Sequence, residues 1–203
     1  MKFSSDATLV IGKNLVVADL HLGILGFPDY SILSRLIEVY EKSGASRLIV
    51  NGDLKHGLGR KEISSARRLI ESLKESVSEL VIVRGNHDGF LDEVTEVWNV
   101  FEDGKNVFAH GHRKYRGVMN GKRLILAHSH PAVFIQDRVG GVKERAWLHM
   151  KTGEREYIVM PAFNEFCSST AVNLEKPAGF IYRHLREFDA FTLDGFYYGK
   201  VKF

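Results

Sequence analysis

Arg47-Leu48-Ile49-Val50-Asn51-Gly52-Asp53 is a short apolar run closed by a polar turn whose last member is a carboxylate. Arg47 to Val50, three of whose four residues are apolar, bounded by Asn-Gly, read as a buried strand. The pattern recurs on both sides. Upstream, the apolar run Leu15 to Ala18 ends in Asp19, and downstream Leu80 to Val83 ends at Gly85-Asn86-His87-Asp88. Between the first two strands, Asp29 is placed to cap a helix running through Lys42, with Leu33, Leu36, Ile37 and Tyr40 on one face and Gly44 as its stop. Between the second and third, Ile63, Ala66, Leu69, Ile70, Leu73 and Val77 define another amphipathic helix. This is βαβαβ order, which favours parallel strands joined by helical crossovers and an α/β fold.

After about residue 96 the periodicity changes. Val107 to Ala109, Arg123 to Ala127, Ala132 to Ile135, Ala146 to Met150, Tyr157 to Val159 and Phe188 to Lys202 are β-rich runs, several separated by turn signals such as Asn120-Gly121 and Asp194-Gly195. A second, mostly antiparallel sheet is expected. With 203 residues, 44% of them apolar, and no linker or repeat, residues 1–203 read as a single domain.

The polar residues fall at the strand ends. Asp19-Leu20-His21, Gly52-Asp53 and Gly85-Asn86-His87-Asp88 are followed by His110-Gly111-His112 and His128-Ser129-His130. Of nine histidines, seven (21, 56, 87, 110, 112, 128 and 130) lie in or beside these clusters, which scattered surface usage does not produce. Parallel strands bring their C-terminal ends to one sheet edge, where ligand sites form. Asp, His and Asn together suit a divalent ion such as Mn, Fe, Zn or Co. In an Asp-x-His pair on an extended chain both side chains point the same way and can chelate one ion, and a central carboxylate such as Asp53 can give an oxygen to each of two. Two ions roughly 3.5–4 Å apart clamp a phosphate and acidify a water between them, so that a bridging hydroxide attacks phosphorus in line. Gly52 and Gly85 stand where the chain turns sharply towards these residues, though either alone is equally an ordinary turn glycine.

Other chemistries lack their signatures. There is no Gly-x-x-x-x-Gly-Lys-Ser/Thr loop, no Gly-x-Gly-x-x-Gly, no Gly-x-Ser-x-Gly elbow and no His-Glu-x-x-His helix. A lone cysteine, Cys167, excludes a disulfide framework and a cysteine-rich zinc site, and reads as a small core residue. No apolar run reaches transmembrane length and the N-terminus carries no leader pattern, so a cytoplasmic, membrane-free protein is expected. A formal charge of +3 is compatible with anionic substrates, nucleic acid included, without requiring them. Oligomeric state is not readable. Phe163, Phe166, Tyr182 and Tyr197 read as core rather than as base-stacking platforms.

In the order Asp19-Leu20-His21, Gly52-Asp53-Leu54-Lys55-His56, Gly85-Asn86-His87-Asp88, Ala109-His110-Gly111-His112 and Ala127-His128-Ser129-His130, the chain resembles the calcineurin-like metallophosphoesterase superfamily. Asp19-Leu20-His21-Leu22-Gly23, His130-Pro131 and Met160-Pro161-Ala162-Phe163-Asn164 further resemble its compact group related to the SbcD nuclease and to ligase-associated phosphoesterases. The resemblance implies a four-layer sandwich of two mixed β-sheets flanked by helices, and a phosphodiesterase or phosphomonoesterase using two divalent metal ions, Mn foremost, with Ni, Co, Fe or Zn as alternatives. A Mn-dependent DNA or RNA nuclease and a non-catalytic interaction module are the other outcomes it allows. It places Asp19, His21 and His130 on the first ion and Asn86, His110 and His128 on the second, with Asp53 bridging. His87 would contact the phosphate and protonate the leaving group, with Asp88 holding its ring. Two positions depart from the family's pattern. Ala127 replaces a glycine, which shifts the backbone before His128. His56 replaces an acid, and either supports the site or lies on the surface. His112 is equally open, and Arg113, Lys114 and Arg116 beside it meet either a nucleic-acid backbone or solvent.

Overall fold

In the computed structural model, which describes residues 3–26 and 30–203, two β-sheets pack against each other through a shared apolar layer. β1 (Leu9–Ile11) and β2 (Asn14–Val17) pair antiparallel; α1 (Tyr30–Ser43) then leads to β3 (Arg47–Asn51), and α2 (Ile63–Ser76) to β4 (Leu80–Val83). β2, β3 and β4 are parallel neighbours in a sheet of order β1-β2-β3-β4. The expected βαβαβ unit is present; Asp29, the expected helix cap, lies outside the described residues.

The inner residues of β2, β3 and β4 are apolar because both faces of those strands are covered. Leu15, Val17, Leu48, Val50 and Ile82 face the helices, packing against Ile32, Leu33, Leu36 and Tyr40 of α1 and Leu69, Ile70 and Leu73 of α2. The alternate residues Val16, Ile49, Val81 and Val83 face the other sheet and meet Phe108, Ile125, Trp147 and Ile158.

The second sheet comprises β5 (Phe101–Asp103), β6 (Asn106–Phe108), β7 (Arg123–Leu126), β8 (Pro131–Gln136), β9 (Gly141–Thr152), β10 (Arg155–Val159), β11 (Thr170–Ala171), β12 (Glu187–Thr192) and β13 (Tyr197–Lys202). Its order is β11-β8-β9-β10-β7-β6-β5, with β12 on β9 and β13 on β12. Pairing is mostly antiparallel; β6 with β7, β7 with β10 and β8 with β11 are parallel. β9 runs well beyond the apolar run Ala146 to Met150, because residues 141–145 project with β8 as a solvent-facing hairpin that carries no burial signal. β1, β5 and β11 are too short to show a period. The outer face of this sheet is covered by Val118, Val172 and a single 3-10 turn at Ile181–Arg183, so both α-helices lie on the first sheet's side. Phe163 and Tyr182 are buried as expected, whereas Phe166 and Tyr197 are exposed. Among the described residues no helix is long and apolar enough to cross a membrane.

The C-terminal ends of β2, β3, β4, β6 and β7 meet at one edge of this sandwich. Main-chain bonds continue past the strands there: Asp19 N–H donates to Gly52 O at 3.1 Å, His21 N–H to Asp53 O at 2.8 Å and Ala127 N–H to His110 O at 2.8 Å.

Candidate metal centre

Side chains from all five stretches converge at that edge. Asp53, 1% exposed, lies at the middle. Its Oδ2 is 3.4 Å from His21 Nε2 and 3.2 Å from His110 Nε2, while Oδ1 accepts the His87 N–H at 2.8 Å. Around it, potential ligand atoms of Asp19, His21 and Asp53 lie within 4.8 Å of one another, and so do those of Asp53, His110 and His128. His130 Nε2 is 3.2 Å from Asp19 Oδ1, and Asn86 Oδ1 is 3.2 Å from His110 Nε2. All seven residues that the motif series nominated as ligands are therefore brought together.

The backbone achieves this differently from the extended chain expected for Asp-x-His. Among the described residues, seven other than glycine have positive φ, and five of them are Asp19, His21, Asp53, His128 and His130. An extended strand has φ near −120°, so here the two side chains of each pair converge through left-handed turns, not through the strand pleat. Such a conformation costs on the order of 1 kcal/mol per residue and persists where surrounding bonds enforce it. The glycines are part of that enforcement. At Gly52, φ is +94° and an added Cβ would sit 2.1 Å from His110 Nδ1; at Gly85 it would sit 2.0 Å from Asp53 Oδ1. Gly52 serves both turning and close approach, and Gly85 close approach alone. Ala127, in the place of a family glycine, is buried in the layer between the sheets.

The ring orientations suit ion binding. His110 Nδ1–H donates to Asn51 O at 3.1 Å and His130 Nδ1–H to Ser168 O at 2.8 Å, leaving each Nε2 turned to the carboxylates. A ligating imidazole is held in this way. Asp19 Oδ1 and His21 Nε2 are buried without a hydrogen-bond partner. Buried polar atoms are normally satisfied, so the donor set fits a divalent cation.

Charge in the metal-free site follows from burial. Burial holds His21 and His128 down to about 4, which keeps them neutral and ready to ligate. His110 is also desolvated, but its bond to Asp53 and the charges of Asp19 and Asp53 outweigh that and raise it to about 9. An ion must therefore displace a proton from His110 at any pH below about 9. Affinity for the second ion, the one His110 would hold, is expected to rise about tenfold per pH unit through neutrality and to level off once His110 loses its proton unaided. Calorimetry in buffers of different ionisation enthalpy checks this; uptake without proton release at pH 7 contradicts it.

His87 is half-buried, with its ring 4.7 Å from that of His21. Asp88 does not hold this ring, contrary to expectation. The His87 Nδ1–H donates to the His56 carbonyl. The Asp88 carboxylate instead accepts main-chain N–H groups of Gly85 at 2.8 Å, Asp53 at 2.9 Å and Leu54 at 3.0 Å, because a fully buried anion at that turn is satisfied by the amides that surround it. Asp88→Asn, which turns an NH₂ towards those donors, should lower stability by about 3 kcal/mol; an unchanged denaturation midpoint would contradict this role. Lys55, unremarked in the sequence, is 2% exposed and its ammonium bonds the carbonyls of Gly57 and His87, tying the two loops together.

His56 belongs to the site: its Nδ1 is 3.3 Å from His21 Nδ1 and its ring stacks 5.4 Å from His87. His112 lies against His110 and His128, with Nε2 3.2 Å from Tyr115 Oη. Arg113 is exposed and stacks over the Tyr115 ring at 4.4 Å, so it stands at the rim rather than among the ligands.

The model of the calcineurin-like phosphoesterase family matches residues 13–161, well over half of the chain. The chain is a calcineurin-like phosphoesterase. As a member of that family it is a metal-dependent hydrolase of phosphate esters, and the converging clusters are candidate ligands for the divalent ions the family uses. Among solved structures, nuclease MPE of Pseudomonas putida is similar with a TM-score of 0.58 and 19% identity, over 86% of this chain and 88% of its own. Vps29 of Entamoeba histolytica has a TM-score of 0.45 and 14% identity, over 87% of this chain and 83% of its own. A predicted phosphoesterase of Streptococcus pneumoniae has a TM-score of 0.43 and 14% identity, over 94% and 95%. At these identities the first likeness speaks for the fold alone. No curated protein matches the chain.

Proposed function

We propose that this phosphoesterase is a dinuclear phosphodiesterase, with phosphomonoesters as secondary substrates, acting in the cytoplasm as one domain. Asp19, His21 and His130 would hold the first ion and Asn86, His110 and His128 the second, with Asp53 shared. The observation that carries this is the position of Asp53 Oδ2, within 3.4 Å of a ring nitrogen from each cluster. When bound, the two ions, Mn foremost and Ni, Co, Fe or Zn as alternatives, supply positive charge to the phosphate and acidify the attacking water. The chain's own contribution is placement and proton transfer. His87, fixed through Nδ1 to the His56 carbonyl, presents its other nitrogen to the leaving side; as the ester P–O bond breaks it gives a proton to the departing oxygen. His56 and His112 flank the substrate position.

Metal-free protein reconstituted with Mn²⁺, Ni²⁺, Co²⁺, Zn²⁺ or Mg²⁺ should bind two ions by equilibrium dialysis and hydrolyse bis(4-nitrophenyl) phosphate, with full loss on chelation. Protein that takes up ions but remains inert on diesters and monoesters alike would return the non-catalytic module to favour. A nuclease reading draws on one surface feature: Arg113, Lys114 and Arg116 are exposed directly beside His112, placing cationic side chains at the rim of the histidine cluster. Cleavage of labelled single- or double-stranded DNA with Mn²⁺ tests it, and robust diester hydrolysis without DNA cleavage excludes it.

A further inference from the structure

Cys167 belongs to none of the motifs, yet its thiol is held against the first ligand cluster. Its loop is tied to the turn that carries Asp19 and His21. Phe163 N–H donates to Ala18 O at 2.9 Å, and Asn164 Nδ2 donates to Leu20 O at 2.7 Å. Cys167 N–H donates to Asn164 O at 3.2 Å, and its thiol to Asp19 O at 3.8 Å. The next residue, Ser168, is the one whose carbonyl orients His130. Sγ of Cys167, a ring nitrogen of His21 and a ring nitrogen of His130 lie within 4.8 Å of one another. Independently of the cysteine, His21 Nε2 and Asp19 Oδ1 make no well-formed hydrogen bond, their nearest polar contacts being other candidate ligands (Asp53 Oδ2 at 3.4 Å and His130 Nε2 at 3.2 Å), and their side chains are only 5% and 0% exposed. Water does not reach these atoms, and the groups nearest to them are other candidate ligands, which suits atoms that converge on an ion.

We propose that Cys167 is a ligand of the first ion. The proposal rests on the dinuclear reading above and deepens it. On binding, the S–H bond breaks, the proton leaves to solvent, and the sulfur lone pair forms the bond to the ion. The two positions then differ in kind. The first combines a sulfur with two imidazoles, the carboxylate of Asp19 and the shared carboxylate of Asp53, a softer set than the second, which favours Zn²⁺ or Co²⁺ over Mn²⁺ and Mg²⁺. The second, built from Asp53, Asn86, His110 and His128, has only oxygen and nitrogen donors and accepts the harder ions. A protein filled with two different metals is the natural outcome of such a pair.

Cobalt spectroscopy separates this from the reading on which it rests. Titrating metal-free protein with Co²⁺ under nitrogen should give visible ligand-field bands from ion binding, together with a near-ultraviolet sulfur-to-cobalt charge-transfer band. Cys167→Ser and Cys167→Ala should lose the second signal and keep the first, with circular dichroism confirming the fold. Their Zn²⁺ affinity at the first position should fall at least about tenfold, the scale on which a lost metal partner registers. Ligand-field bands without charge transfer in the wild type, or charge transfer that persists in Cys167→Ser, overturn the role of Cys167 and leave the dinuclear site standing. No cobalt bands of either kind would sink the dinuclear reading and this proposal together.

Discussion

Asp53→Asn is expected to abolish phosphodiesterase activity and to reduce metal uptake from two ions to one or none. The substitution keeps the shape of the side chain and its buried position, so the fold should survive. What it removes is the negative charge between two clusters: Oδ2 faces His21 and His110, and Oδ1 anchors the His87 main chain. Loss of one fixed donor at a reaction centre typically costs about 10²–10³ in rate. Here one change takes a ligand from both ions, so a loss of at least about 10³-fold is expected on the same scale. Dialysis against Mn²⁺ with elemental analysis reads stoichiometry, and bis(4-nitrophenyl) phosphate reads rate. Retention of two tightly bound ions in the variant would remove Asp53 from its bridging place.

His87→Ala should leave both ions bound and lower kcat by about 10²–10⁴, the range for a lost general acid. The residue sits beside the ligands without being one of the seven, and its ring is aimed by the His56 carbonyl. The loss should depend on the leaving group. An alkyl alkoxide needs a proton as the P–O bond breaks, whereas 4-nitrophenolate departs with little help, so the defect should be deep for alkyl esters and shallow for aryl ones. Equal defects on both would assign His87 to phosphate binding instead. A fall in bound metal would make it a ligand.

The sequence exposed the half of the molecule that has a period. Apolar runs ending in Asp, Asn-Gly-Asp or Gly-Asn-His-Asp located β2, β3 and β4, and the helical spacing of Leu69, Ile70 and Leu73 located α2, because these elements bury complementary faces. All seven ligand candidates were visible for a related reason: Asp and His clustered at strand ends are chemically conspicuous. What stayed hidden depended on main-chain geometry. Nothing in Asp-x-His announces that both residues take positive φ, and nothing in Gly-Asn-His-Asp says that Asp88 serves backbone amides and not the neighbouring imidazole. Lys55 was obscured because an isolated lysine reads as surface. Cys167 was obscured because a sulfur far along the chain gains meaning only when its loop is seen crossing the Asp19 turn.

The amides gathered on Asp88 and the ammonium of Lys55 lodged between two carbonyls have a consequence for handling this enzyme. Small zinc-finger domains collapse only when their metal arrives; here the loops under the ligands are stapled by the chain itself. The protein should therefore act as a rigid chelator, and circular dichroism is expected to show the same fold in metal-free and refilled protein. Within the preference each position's donors set, the ions that occupy it should then follow the supply at the moment of filling, so a preparation's activity is expected to vary with the medium in which it was grown.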